Sequence, residues 1–332
     1  MMRVLVTGSA GFIGYHLSEL LLAEGNDVIG LDAHDVYYDP ALKEAREARL
    51  RQHPRFTAIH ARVEEPDVLA DIFATHRLDL VVHLAAQAGV RHSIDNPRAY
   101  LQSNLIGTFE LLEAARAHPP RHLLLASTSS AYGANTRMPY RETDKADLQM
   151  SFYAASKKST EAMAHSYSHL FGLPVTMFRF FTVYGPWGRP DMAPWLFTSA
   201  ILAGKPIRVF NHGDMRRDFT YVTDLVRAIR LLMDTVPGDT PVGPEDSLSS
   251  VAPFRVVNIG NGAPVELLDF IAAFEAATGR EAIKDLLPMQ PGDVPATWAD
   301  TTLLRSLTGY APETQVREGV AAYVDWFRSY YL

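Results

Sequence analysis

The chain has no cysteine among its 332 residues, so it forms no disulfide and offers no thiolate to a metal. It has no apolar run long enough to span a bilayer, and no membrane segment is expected. Nor does it carry an excess of positive charge. Lys and Arg number 31 against 38 Asp and Glu, for a net charge of -7, and the basic residues are scattered, so no nucleic-acid partner is expected. What remains is an ordinary globular composition, 47% hydrophobic and 21% charged, of a size that suits one large domain or two unequal ones. Met1-Met2-Arg3-Val4 leads straight into a strand pattern, and a cytoplasmic protein is expected.

The β-branched run Arg3 to Val6 is followed by Thr7-Gly8-Ser9-Ala10-Gly11-Phe12-Ile13-Gly14 and then by helical periodicity through Leu17, Leu20 and Leu21. A strand, a glycine turn and a helix in that order aim backbone N–H groups and a positive helix end at a pyrophosphate. Gly8 permits the tight turn, Gly11 the close approach of phosphate, and Gly14 the contact of helix with strand. A second strand, from Asp27, finishes at Asp32, 18 residues past Gly14, where an acid holds an adenosine ribose diol. Asp32 repels a 2′-phosphate and no Arg or Lys follows it closely in sequence, so NAD is favoured over NADP.

Tyr37 to Leu50 is polar and reads as a solvated helix whose charges face water. Phe56 to His60 reads as a strand and Val68 to Ala74 as a helix. Leu78 to Leu84 is apolar on both faces, as a central parallel strand is, and runs into Ala85-Ala86-Gln87-Ala88-Gly89. Small residues there let a cofactor approach the backbone. One long helix is expected from Asn96-Pro97 through Leu112. The strand Leu123 to Ala126 then delivers Ser127-Thr128-Ser129-Ser130 to the carboxyl edge of the sheet, where ligands bind in a doubly wound fold.

Tyr153 and Lys157 stand four apart in a helical segment and share a face. Taken alone, the pair is more often a buried ring beside a solvated charge. With the glycine turn, Asp32 and Thr128, it becomes a phenol, an ammonium and a hydroxyl able to move the proton of a substrate alcohol.

Five stretches, TGSAGFIG (7–14), HLAAQAGVRHS (83–93), STSSAYG (127–133), YAASK (153–157) and FFTVYGPWGRPDM (180–192), together resemble the extended short-chain dehydrogenase/reductase superfamily. Within it they are similar to the NAD-dependent nucleotide-sugar epimerase/dehydratase group, and most of all to its UDP-glucuronate 4-epimerases. The resemblance runs from Val4 to about Asp300. It implies a Rossmann-type doubly wound parallel sheet with a smaller C-terminal α/β substrate domain. The cofactor is NAD, touched by Gly8, Gly11, Phe12, Ile13, Gly14, Asp32, Leu84, Ala85, Ala86, Tyr153 and Lys157. Thr128, Tyr153 and Lys157 are the expected catalytic residues. Arg217 is the expected phosphate contact of a UDP-sugar and Asp293 its ribose contact, with Gln290 where many UDP-hexose epimerases have Arg. No metal is expected.

Two departures from the group's pattern stand out. Its dehydratases place Asp-Glu after the catalytic Thr, whereas this chain has Ser129 and Ser130 and lacks the acid for elimination. After the third strand the group usually has an Asp against the adenine; here the chain reads Ala61-Arg62-Val63, which implies weaker or exchangeable NAD.

The implied reaction is epimerisation of C4, from UDP-glucuronate to UDP-galacturonate. A C4 ketone makes the C5 carboxylate prone to leave as CO2, so donors must pin it; Ser129, Ser130, Thr182 and Arg189 are the candidates. A UDP-hexose 4-epimerase, a UDP-glucuronate decarboxylase and an NAD-binding regulatory protein are the alternatives. A boundary near residue 180 divides a cofactor domain (1–180, with segments near 215–235 and 254–275 returning to it) from a discontinuous nucleotide-sugar domain (181–332). Pro237 to Pro253 reads as a mobile surface loop. The helices around 96–117 and 151–171 are apolar on more than one face, and the resemblance pairs them across a two-fold axis as a homodimer. Packing within one chain is the other use of those faces.

Overall fold

The computed structural model describes residues 1–290 and 293–332. The strands of the first half are β1 (Arg3–Thr7), β2 (Asp27–Asp32), β3 (Phe56–His60), β4 (Leu80–His83), β5 (His122–Ala126) and β6 (Val175–Phe180). Those of the second half are β7 (Thr182–Tyr184), β8 (Ile207–Val209), β9 (Arg216–Tyr221), β10 (Phe254–Ile259), β11 (Pro264–Glu266), β12 (Lys284–Leu286) and β13 (Ala296–Thr297). Seven of them form one parallel sheet in the order β3-β2-β1-β4-β5-β6-β10. Every residue of β4, β5 and β10 is buried, as a sheet covered on both faces demands. The strand order reverses between β1 and β4, so the carboxyl ends of β1 and β4 open a crevice.

The helices are α1 (Phe12–Ala23), α2 (Ala41–Leu50), α3 (Val68–His76), α4 (His92–Asp95), α5 (Pro97–Tyr100), α6 (Gly107–Ala117), α7 (Phe152–Phe171), α8 (Ala193–Leu202), α9 (Val222–Leu232), α10 (Leu267–Thr278), α11 (Thr302–Thr308) and α12 (Val316–Tyr331). On one face of the large sheet Leu17 and Leu21 of α1 pack with Leu225 and Ile229 of α9 and Leu304 of α11. On the other, Phe73 of α3, Leu111 of α6 and Ala164 of α7 cover the strands. Each such side chain contributes about 1.5–3 kcal/mol by leaving water. A separate core holds Phe219 of β9, Phe197 of α8, Phe270 of α10 and Tyr323 of α12. The second half therefore returns β10, α9 and α11 to the large sheet, whereas α10 stays with the smaller core.

The long helix expected after Asn96 is present from Pro97 to Ala117, with α5 and α6 joined through a π-helical segment over Leu101–Ile106. The widened segment carries the buried Asn104, whose amide bonds Gln87 N (2.8 Å), Gln87 O (3.1 Å) and Ser156 Oγ (2.9 Å). Two local expectations differ from the structure. The helix between Tyr37 and Leu50 is not simply solvated, since Lys43, Arg46 and Glu47 on α2 are buried. The loop before β10 is exposed in its middle but pinned at its end, where the buried Asp246 and Arg255 pair at 2.8 and 2.9 Å.

Candidate active site

Every expected catalytic, cofactor and substrate residue lines one cleft of about 1220 Å³ at the carboxyl edge of the large sheet. Its floor is the turn between β1 and α1. Gly8 has φ +72°, and a Cβ there would meet Ala85 N at 2.9 Å, so the turn lies directly against the strand end it faces. A Cβ on Gly14 would meet Gly8 O at 2.0 Å; this glycine lets α1 sit on the turn itself rather than on a strand. The N-cap of α1 is Gly11, with no side-chain cap, so the first N–H groups of the helix face the cleft uncapped. This is a cradle that fits a pyrophosphate.

The facing wall is set by Thr7. Its hydroxyl oxygen accepts from Leu84 N (3.2 Å) and Ala85 N (3.1 Å) and lies 2.8 Å from Nδ1 of His83. With two donors on its oxygen, Thr7 donates to His83. Burial, aided by the Lys157 charge, lowers His83 to about 3, so the ring stays neutral beside the ammonium.

Asp32 is buried at the end of β2. Its carboxylate accepts from Ala10 N at 3.0 Å and His34 N at 2.9 Å, presenting a fixed acid to the adenosine end of a dinucleotide. The sequence shows no cation just after it; the fold supplies one, because Lys43 Nζ on α2 lies 3.9 Å from Asp32 Oδ1. Arg62, where the group has its adenine Asp, spends its guanidinium on Asp35 and Glu64 at 2.7 Å each. The fully buried Arg46 donates to Ala10 O (2.9 Å), Tyr38 Oη (2.9 Å) and Trp187 O (2.5 Å). It ties the glycine turn to the loop after β7. These residues fit NAD: a phosphate cradle, an acid for the ribose, and small residues at Ala85 and Ala86.

Thr128 follows β5 and caps the 3₁₀ turn Ser129–Tyr132, its Oγ1 accepting from Ser130 N at 3.1 Å. Both serines of that turn face the cleft. Beneath it, Ser127 Oγ donates to Glu161 Oε1 at 2.6 Å, and Arg179 grips the same carboxylate at 2.9 and 2.8 Å. Burial alone would raise Glu161, but Arg179 outweighs it and holds the carboxyl at about 2. The Arg179 guanidinium lies 4.5 Å from the centre of the Tyr132 ring, and Tyr132 donates to Asn258 at 2.7 Å. The catalytic turn thus stands on a buried, charge-paired base.

Tyr153 and Lys157 enter the cleft from the first turns of α7, whose N-cap Ser151 accepts from Ala154 N. Lys157 Nζ donates to Ala126 O at 2.9 Å, so the ammonium is held by the strand carbonyl before Ser127. Burial lowers Lys157 to about 8. Burial also raises the Tyr153 phenol, against which the Thr128 hydroxyl and the Arg189 guanidinium pull. Arg189 adds positive charge to the surroundings of the phenol, a contribution the motif spacing does not reveal.

Across the cleft, Arg189 pairs with Asp191 at 3.0 and 2.5 Å, and Tyr37 Oη donates to Asp191 Oδ2 at 3.1 Å. Burial opposes the Arg189 charge, but Asp191 more than restores it and raises the guanidinium. Arg217 donates to Val294 O (2.6 Å) and Pro295 O (3.1 Å); burial lowers its affinity for a proton, with Asp293 opposing. It does not pair with Asp218, which accepts from Asn261, Gly262 and Ala299. Asp293 pairs with Arg91 at 3.0 Å. Pro291 and Gly292, which precede it in sequence, lie outside the described residues. Lys43, Arg46, Tyr37, Asp191 and Arg91 were not singled out from the sequence; only Arg91 and Asp191 lie within quoted stretches, HLAAQAGVRHS and FFTVYGPWGRPDM, that offered a signal.

Comparison with known proteins agrees with this geometry. The chain is 52% identical over 334 residues to a probable UDP-glucuronate 4-epimerase of Rhizobium meliloti (strain 1021), covering 99% of this chain and 98% of that one. It is 44% identical to UDP-glucuronate 4-epimerase 4 of Arabidopsis thaliana, over 99% of this chain and 76% of that one. Among solved structures it matches UDP-glucuronic acid 4-epimerase from Bacillus cereus in complex with UDP-glucuronic acid and NAD. That match has a TM-score of 0.89 at 32% identity and covers 99% of this chain and 100% of that one. Residues 4–243 match the model of the NAD dependent epimerase/dehydratase family, and the chain belongs to that family.

Proposed function

We propose that the protein interconverts UDP-glucuronate and UDP-galacturonate by inverting C4, with NAD as cofactor. The observation that carries this reading is one cleft lined by Thr128, Tyr153, Ser129, Ser130, Thr182 and Arg189, in which the Thr128 hydroxyl and the Arg189 charge both act on the phenol. The first two residues handle an alcohol proton; the others suit a carboxylate.

When bound, NAD takes a hydride from C4 and gives it back to the opposite face. Tyr153 removes the 4-hydroxyl proton, and Thr128 holds the hydroxyl and relays the proton. Lys157, anchored on Ala126, places a positive charge behind the site. Arg217 and Asp293, on the far wall, take the diphosphate and the ribose of the nucleotide, so the sugar can turn over about its phosphate link while the nucleotide stays fixed. Ser129, Ser130, Thr182 and Arg189 keep the carboxylate out of the orientation, perpendicular to the carbonyl plane, in which CO2 departs.

The cofactor belongs to the unit built on residues 1–180 and the sugar nucleotide to the discontinuous unit of 181–332. The working form is a homodimer. Its support is the exposure of Leu101, Phe109, Phe152, Leu170 and Phe171 (40–66%) on the helices flanking one side of the sheet, a pattern suited to burial against a second copy. A cytoplasmic setting fits a chain without cysteine.

Incubating the purified protein with UDP-glucuronate, without added NAD, and following the sugar by NMR tests the reading. UDP-galacturonate without pentose is the expected product. UDP-pentose identifies a decarboxylase instead, and turnover of UDP-glucose alone identifies a hexose epimerase.

A further inference from the structure

Beside the cofactor cleft, three side chains from three elements converge. His34 lies two residues beyond β2, His60 ends β3, and Glu47 projects from α2; their ligand atoms all lie within 4.8 Å of one another. His34 Nε2 is 2.9 Å and His60 Nε2 is 2.8 Å from the same oxygen, Oε2 of Glu47. The two imidazoles are 4.7 Å apart. The carboxylate they share is buried, while the His60 side chain is 54% exposed, which gives an ion a path in from water.

We infer that His34, Glu47 and His60 form a binding site for a divalent transition-metal ion of the zinc type. Two imidazole nitrogens and one carboxylate oxygen are a donor set that such ions take, with bonds of about 2.0–2.2 Å and a fourth position for water. In a tetrahedron of that size neighbouring donors stand about 3.4 Å apart. The observed 2.8 and 2.9 Å separations therefore need to open by about half an ångström. The other carboxylate oxygen is also provided for, since Arg51 Nε donates to Glu47 Oε1 at 2.7 Å and fixes the ligand from outside the coordination shell. The NH2 of Arg51 stands 3.4 Å from His60 Nε2 and, with the side chain half-exposed, gives way to an ion there. His34 is held in this convergence at φ 48°, a left-handed backbone that non-glycine residues seldom adopt.

The site is distinct from the catalytic wall but adjoins the adenosine end of the cleft. Asp32 lies two residues before His34 and is the register partner of His60 across β2 and β3, and Lys43 shares α2 with Glu47. An ion here would join α2 to the ends of both strands.

The test uses full-length protein freed of affinity tag and treated with EDTA, titrated with CoCl2 by visible absorption and with ZnCl2 by calorimetry. One equivalent per chain is expected, with the visible bands of tetrahedral cobalt that zinc displaces. His34→Ala and His60→Ala should each weaken zinc binding at least about tenfold. Because His60 is largely exposed, its variant keeps the metal-free melting temperature of the parent. No stoichiometric uptake, or uptake that both variants retain, overturns the inference. So does an anomalous zinc peak in the crystal located elsewhere.

Discussion

Arg189 and Asp191, two residues apart, close on each other through two hydrogen bonds, Nε to Oδ1 and NH2 to Oδ2. A guanidinium fork in the cleft therefore already holds a carboxylate, in the geometry it would use for a uronic acid. Arg189→Ala is expected to lower kcat/KM for UDP-glucuronate about 10- to 100-fold, the worth of one charge-assisted contact, and to release UDP-pentose. Arg189→Lys keeps the charge without the fork and should fall between. Unaltered kinetics with no pentose would remove Arg189 from this role.

Tyr153 is the proton acceptor of the proposed reaction. Tyr153→Phe should reduce turnover by about 10²- to 10⁴-fold while NAD binding, followed by calorimetry on the stripped protein, stays near that of the parent. Loss of NAD binding in parallel with activity would make the phenol a cofactor contact first.

Lys157 offers a test by pH. Burial lowers its pKa from 10.5 to about 8, so between those values the unfolded chain binds more protons than the folded one, and stability rises with pH across that window. Below about pH 8 the buried ammonium costs on the order of 3 kcal/mol. Lys157→Met should therefore abolish turnover yet raise the Tm of the cofactor-free protein at pH 7, with the gain shrinking towards pH 10.5. A lower Tm at pH 7 would show that the bond to Ala126 outweighs desolvation.

Glu161 has the opposite sign. Its folded pKa lies at about 2, below the ordinary 4.5 of a glutamate, so its contribution is complete above about pH 4.5 and is lost as pH falls towards 2. Glu161→Gln leaves Arg179 buried without its counter-charge, which costs about 3–5 kcal/mol. Thermal unfolding at pH 7 should show Tm lower by roughly 4–7 °C, and the variant should lose less of its remaining stability on acidification than the parent does.

Lys43 completes the pocket around Asp32. Lys43→Met removes the ammonium that lies 3.9 Å from the acid and 5.3 Å from the Tyr38 ring centre. NAD affinity should fall about tenfold, the worth of one partly buried charge contact. An unchanged Kd would mean that Ala10 and His34 alone position Asp32.

Much of this molecule was fixed by short-range pattern. A β-branched run, three glycines at set intervals and an acid at the end of the next strand can be read in the sequence because each depends on local geometry: a positive φ at Gly8, an uncapped helix start at Gly11, a strand ending at Asp32. Tyr153 and Lys157 are legible for the same reason, since helical periodicity alone puts them on one face. Burial of the polar face of α2 was not legible. Lys43, Arg46 and Glu47 read as solvated because their sequence neighbours are charged, and only the docking of α2 against the strand ends and the Trp187 loop takes them out of water. The fold likewise decided that Lys157 bonds Ala126, that Arg189 and Tyr153 line one cleft, and that His34, Glu47 and His60 share one point. These pairings join residues 13 to 36 positions apart, so chain packing, and not local propensity, brings them together.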